Sequence, residues 1–158
     1  MEPVSIRAAN ATDVPELCRL LGQLFRLEAD FSPDPSRQAK GLERLLAADP
    51  SRAAVFVAEA GGRVVGMVSL QVLVSTAEGG EVGLLEDLIV DESLRGRGIG
   101  TALLAAAEGW ARSRGLLRLQ LLADRENGPA LGFYRARRWG PTQLVALRRA
   151  HWRPGPPD

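Results

Sequence analysis

The sequence is poor in the residues that most often carry chemistry unaided. Its 158 residues include one cysteine (Cys18), one histidine (His151) and one tyrosine (Tyr134). A single cysteine excludes an internal disulfide and a cysteine metal cluster. A lone histidine beside a Pro-Gly-rich stretch supports neither a zinc site nor a Ser-His-Asp arrangement, so no metal is expected. Lys40 is the one lysine among 20 basic residues, a compositional preference for arginine rather than a function. With a net charge of +1, bulk electrostatics points to neither nucleic acid nor a membrane surface as partner. The densest basic group, Arg135, Arg137 and Arg138, is too small for a nucleic-acid face. No apolar run approaches the roughly eighteen residues of a membrane span. Residues 1–10 lack a signal-peptide core, so a cytoplasmic protein is expected. The apolar fraction of 46% argues for a folded chain: one domain over residues 1–152, then a disordered tail over 153–158.

What is present centres on residues 84–104, LLEDLIVDESLRGRGIGTALL. Leu84, Leu85, Leu88, Ile89 and Val90 read as a buried strand. Glu86 and Asp87 interrupt it, and two acids in such a strand are costly unless something pairs with them or uses them. Arg95-Gly-Arg-Gly-Ile-Gly100 follows, and Thr101 opens an alanine- and leucine-rich helix. Strand, glycine turn and helix together form an anion-binding layout, because glycines allow close backbone approach and the helix start presents N–H groups. A P-loop would need lysine then serine or threonine after its second glycine, and none is there. A dinucleotide fingerprint would need GxGxxG near a domain start, whereas the order here is GRGIG past mid-chain.

Along the chain, residues 4–7 alternate as a strand, and Asn10, Thr12 or Asp13 can cap a helix with Val14, Leu17, Cys18, Leu21, Leu24 and Phe25 inside. That stripe makes Cys18 a small core residue rather than a nucleophile. Residues 27–36 form a loop carrying Glu28, Asp30, Phe31 and Asp34, either a solvated connector or an acidic lip for a cationic amine. A second helix runs over about 37–48. Residues 53–60 and 64–74 make a hairpin around Gly61-Gly62, with Gly66 at a bulge. The helix after the glycine turn ends near Gly115, and residues 116–123 form a strand parallel to the central one. Asn127 caps a further helix to about Arg138, and residues 139–148 supply a last strand. The order β-α-α-β-β-β-α-β-α-β predicts a three-layer α/β fold around a mixed sheet.

Arg95, Gly98 and Gly100 fill the pattern [Q/R]-x-x-G-x-[G/A], and Asn127, Ala130, Phe133 and Tyr134 fill N-x-x-A-x-x-F-Y. On these blocks the chain resembles the GCN5-related N-acetyltransferases. Its Leu-Glu-Asp run and Asn-to-Tyr spacing are most similar to the diamine (spermidine/spermine) acetyltransferases.

The resemblance implies a mostly antiparallel sheet splayed between two parallel strands. It implies acetyl-CoA as acyl donor, a small and possibly cationic amine as acceptor, and often a homodimer. It assigns the cofactor arm to the backbone of Leu88 and Val90. The pyrophosphate falls to Arg95, Gly96, Arg97, Gly98, Gly100 and Thr101, with Asn127 across the cleft. Tyr134 becomes the general acid. Glu86 is the expected base, its burial by Leu85 and Leu88 raising its pKa. Asp87 would face the other way unless a bulge intervenes and is assigned to acceptor binding or to structure, with Glu28, Asp30 and Phe31 assigned to acceptor binding. Competing readings have Glu86 and Asp87 pairing with arginines such as Arg118, a peptide as acceptor, or a non-catalytic acetyl-CoA sensor. In the resembling family a glycine usually closes the last helix; here Arg138 stands there. That costs about 1 kcal/mol if the backbone is left-handed, unless the turn shifts to Gly140.

Overall fold

A computed structural model describes residues 2–149. The chain divides after Asp124 into two compact units.

The first unit is a five-stranded sheet in the order β1-β2-β3-β4-β5, flanked by three helices. Its strands are β1 (Val4–Ala8), β2 (Ala53–Ala60), β3 (Arg63–Ser75), β4 (Gly80–Val90) and β5 (Leu119–Leu121). Its helices are α1 (Val14–Leu27), α2 (Pro35–Ala47) and α3 (Ile99–Ser113). All ladders are antiparallel except β4–β5.

Local chemistry sets the boundaries. Asn10 and Asp13 form a capping box ahead of α1, which satisfies backbone N–H groups that a helix start leaves without partners. Asp34 caps α2 by accepting from the Arg37 N–H at 3.1 Å. Gly61 and Gly62 both have positive φ (+56° and +73°), as a tight hairpin turn between β2 and β3 requires. The expected bulge lies beside Gly66, where the register shifts between Ala58 and Glu59.

Neighbouring residues on β3 show the three layers. Met67 joins Leu17, Leu20, Leu21 and Leu42 of α1 and α2 in one buried cluster. On the opposite face a Cβ at Gly66 would lie 2.9 Å from Leu103 of α3. Leu17, Leu20 and Leu103 are fully buried, each contributing roughly 1.5–3 kcal/mol of transfer free energy.

Two elements differ from expectation. β5 is three residues long rather than eight, pairing only from Gly83↔Leu119 to Leu85↔Leu121. β4 continues five residues beyond its last pair with β5, so the sheet opens at this point, as the resemblance implies.

The second unit contains α4 (Gly128–Arg135) and the chain that follows. No strand forms over 139–148. The Thr142 hydroxyl accepts from the Leu144 N–H at 3.2 Å, and such local bonds compete with a ladder. Leu144, Val145 and Leu147 are exposed by 76%, 73% and 92%, so no apolar burial favours pairing there. The tail expected over 153–158 lies outside the described residues.

Candidate functional site

The glycine turn takes the form its sequence demands. Gly96 and Gly98 have φ of +76° and +80°, and a Cβ at either would meet nothing within 4 Å. These glycines serve backbone conformation and leave the space above the turn open. Gly98 is the N-cap of α3, and no side chain caps that helix start. An uncapped helix start following two left-handed glycines is a preformed cradle for an anion. Arg97, Gly100 and Thr101 lie in this cradle segment, and the Arg95 Nε donates to the Val90 carbonyl at 3.1 Å.

The segment between β4 and the turn is tied to α1. Arg19 donates to Asp91 Oδ2 at 2.5 Å, and Gln23 Oε1 accepts from the Glu92 N–H at 3.1 Å. Asp91 also accepts from the N–H and hydroxyl of Ser93 at 3.1 and 2.7 Å. The Ser93 bonds and the Arg19 guanidinium hold its carboxyl down at about 2, against the opposing effect of burial.

The acids of β4 occupy a bulge. Met67 pairs with Ile89 and Ser69 with Glu86, so Asp87 and Leu88 together oppose Val68. Asp87 carries a φ of +54°, a left-handed conformation that aspartate tolerates better than most residues. In a regular strand neighbouring side chains face opposite ways. Here Glu86 and Asp87 line the same cavity, of about 870 Å³, with Phe25, Asp30, Phe31 and Leu45. Phe25 and Phe31 meet at a tilt of 43° with ring centroids 5.5 Å apart, forming an aromatic part of the wall.

The burial expected of Glu86 falls on its neighbour instead. Glu86 is exposed, whereas Asp87 is half-buried in the cavity wall. Part of the Asp87 surface still reaches solvent, yet protein surrounds the carboxyl closely enough to desolvate it. Burial, then the negative charges of Glu86 and Glu28, raise its pKa to about 7. Glu28 is likewise raised, by burial first and then by Asp124, Asp30 and Glu86. The competing arrangement, pairing with Arg118, does not occur: Arg118 meets Glu78 at 3.5 Å. Among the described residues no basic group bonds the carboxylates of Glu28, Glu86 or Asp87, although Arg37, Arg44 and Arg52 line other parts of the same cavity.

The remaining residues singled out in the sequence belong to the second unit. Asn127 Oδ1 caps α4 by accepting from the Ala130 N–H at 3.1 Å. Tyr134 lies between Phe133 and Trp139, at centroid distances of 5.2 and 5.9 Å.

The family model for acetyltransferases of the GNAT family matches residues 16–140. The chain belongs to that family. Glucosamine 6-phosphate N-acetyltransferase of Trypanosoma brucei brucei is 32% identical, over 82% of this chain and 88% of the relative. An uncharacterized N-acetyltransferase of Methanocaldococcus jannaschii is 40% identical over 81 residues, about half of this chain and 36% of that longer protein. Among solved structures, an aminoglycoside acetyltransferase from an uncultured soil metagenomic sample superposes with a TM-score of 0.76 at 27% identity, covering 94% of this chain and 96% of that one. An aminoglycoside N-acetyltransferase in complex with CoA superposes at 0.80 and 24% identity, covering 95% and 96%, a likeness of fold.

Within this GNAT chain, sequence reasoning missed Arg19, Gln23 and Asp91, whose bonds cross about seventy positions of sequence. The nearest local signal was Asp91-Glu-Ser93, an aspartate placed to accept from the N–H two residues on. No helix among the described residues is long and apolar enough to cross a membrane, and no cluster of three or more His, Cys, Asp or Glu there could hold a metal ion.

Proposed function

We propose that the protein transfers the acetyl group of acetyl-CoA to the primary amine of a small cationic molecule, by direct attack within a ternary complex. The observation that carries this reading is the Asp87 bulge. It places a carboxyl with a pKa of about 7 in a cavity of ligand size, on the strand that leads into the glycine cradle.

An alkylammonium group has a pKa near 10.4 and must lose a proton before it can attack. In this scheme Asp87 takes that proton and Glu86 holds the ammonium beforehand. The amine nitrogen forms a bond to the thioester carbonyl carbon, and the C–S bond breaks. Tyr134 donates a proton to the departing thiolate and is restored by the second proton that the attacking nitrogen loses, while Asp87 returns the first to solvent. A base poised near neutral pH suits this proton transfer better than an ordinary carboxylate.

The donor fits two features of the chain. Residues 86–90 of β4 extend beyond the pairing with β5 and present a backbone edge to an amide-bearing arm, with Leu88 and Val90 the assigned contacts. Gly96, Gly98 and the α3 start suit a pyrophosphate, with Arg95, Arg97, Gly100 and Thr101 beside them. Asn127 keeps its assignment to the donor through its amide nitrogen, its oxygen being the helix cap.

The Glu86 and Asp87 carboxyls, which no arginine of the cavity lining bonds, support an amine-bearing acceptor, of diamine or aminosugar type. The relatives named for glucosamine 6-phosphate and aminoglycosides make aminosugars the first compounds to test. Calorimetric titration with acetyl-CoA, with ATP and NADP as controls, tests the donor. Thiol release across an amine panel by the wild type, Asp87→Asn, Glu86→Gln and Tyr134→Phe tests the chemistry. Equal binding of all three nucleotides, or full turnover by Asp87→Asn, refutes the proposal.

A further inference from the structure

We propose that Arg19 of α1 is a positioning residue that holds the end of β4 and the glycine turn at one fixed separation for acetyl-CoA. This rests on the acetyl-CoA reading of residues 88–101 and adds to it a residue outside that segment. A donor lying on the β4 edge at Val90 and in the cradle from Gly96 spans residues 91–95, which have no ladder of their own. Three contacts from outside hold that crossing. The Asp91 N–H donates to the Val65 carbonyl at 2.8 Å, the Glu92 N–H to Gln23 at 3.1 Å, and Arg19 to the Asp91 carboxylate at 2.5 Å.

Arg19 is itself fixed from three directions. Its Nε meets Glu16 one turn earlier on α1 at 3.0 Å, and its Nη2 meets the Val64 carbonyl at the start of β3 at 3.4 Å. Its Nη1 reaches Asp91. One guanidinium therefore joins α1, β3 and the end of β4. The fork geometry of arginine defines the angle between them, which a flexible point charge does less well. Asp91 passes the constraint on by accepting both bonds of Ser93, which starts the short 3₁₀ turn Glu92–Leu94 just ahead of Arg95.

The Arg19 side chain is one-third exposed and its Asp91 partner mostly buried, so the pair adds moderately to global stability. Its effect falls on donor binding, where displacement of the turn by even 1 Å is felt. The acceptor cavity is lined from the same helix by Leu21 and Phe25 and not by Arg19.

The test compares wild type, Arg19→Met, Arg19→Lys and Gln23→Leu. Acetyl-CoA affinity is measured by calorimetry, the KM of each substrate by thiol release, and Tm by scanning. Arg19→Met is expected to weaken acetyl-CoA about tenfold, leave the amine KM within twofold and move Tm by no more than a few degrees. Arg19→Lys recovers part of the affinity, and Gln23→Leu gives a smaller loss. Unchanged acetyl-CoA affinity in Arg19→Met overturns the assignment. So does a parallel loss of both KM values with a large fall in Tm and no recovery by lysine, because that is the pattern of a purely structural residue. Absence of acetyl-CoA binding by the wild type overturns the donor reading itself, and this inference with it.

Discussion

Trp139 packs its ring against Tyr134, centroids 5.9 Å apart, while its backbone N–H bonds the Tyr134 carbonyl at 3.1 Å. With the Arg138 N–H bonding the Arg135 carbonyl, this is a Schellman closure of α4 complete with its apolar contact. The left-handed position falls on Arg138, φ +66°, and the turn does not shift to Gly140. Arg138→Gly is expected to stabilise the protein by about 1 kcal/mol, raising Tm by roughly 2–4 °C. Trp139→Ala should lower kcat more than either KM, because it frees the ring assigned to proton donation. A stability scan and steady-state kinetics on the two variants check both statements.

The pH dependence of kcat/KM follows from Asp87. A base with a pKa of about 7 gives a rate that rises tenfold per unit below that value and levels off above it. Glu28→Gln and Glu86→Gln each remove a negative neighbour and should move the inflection to lower pH. Stability has the opposite trend. The native state holds this proton more tightly than the unfolded chain, so stability falls as pH rises from the ordinary carboxylate range to about 7. Asp87→Asn flattens that slope in urea titrations run at a series of pH values.

Gly98→Ala tests the cradle without filling it. The methyl has open space, but an L-residue at φ +80° costs roughly 1–2 kcal/mol. The expected result is a modest loss of Tm and weaker acetyl-CoA binding with the amine KM unchanged. Gly98→Glu adds a charge opposed to a phosphate and should abolish donor binding in the same calorimetric assay.

Asp13 is buried and accepts two bonds from the Arg7 guanidinium at 2.8 and 2.9 Å. It also accepts the Asn10 N–H at 2.8 Å. The Arg7 bonds hold its pKa below the ordinary range. The stabilisation is therefore complete above the unfolded value near 3.9 and is lost as pH falls through the lower folded value. Asp13→Asn should cost about 2 kcal/mol at pH 7 and lessen the sensitivity to acid. Denaturant melts at pH 7 and pH 3 check it.

How much of this was legible in the sequence depends on distance along the chain. Gly96 and Gly98 were readable because only glycine adopts their backbone without strain, and Gly61-Gly62 for the same reason. The Leu-rich face of α1 followed from its period. The bulge at Asp87 was not readable, because it exists only as a mismatch of register with Val68 across the β3 ladder. The expectation therefore gave Glu86 the desolvation that Asp87 carries. The apolar run from Leu116 to Ala123 marked a strand correctly but not how much of it pairs. The segment 139–148 has strand-like composition, and a hydroxyl bond at Thr142 takes up a backbone group the ladder would need. Arg19 lay beyond reach because its partner is 72 positions away.

The unfinished ladder between β4 and β5 has a cost for the empty protein. Backbone amides on a strand edge recruit any extended chain, including another copy of the same edge. An amide-bearing donor settling along residues 86–90 would occupy those groups as a further strand does. Saturation with acetyl-CoA should then slow amide hydrogen exchange there and suppress aggregation on warming, so that the acyl donor also acts as a chaperone for the fold that uses it.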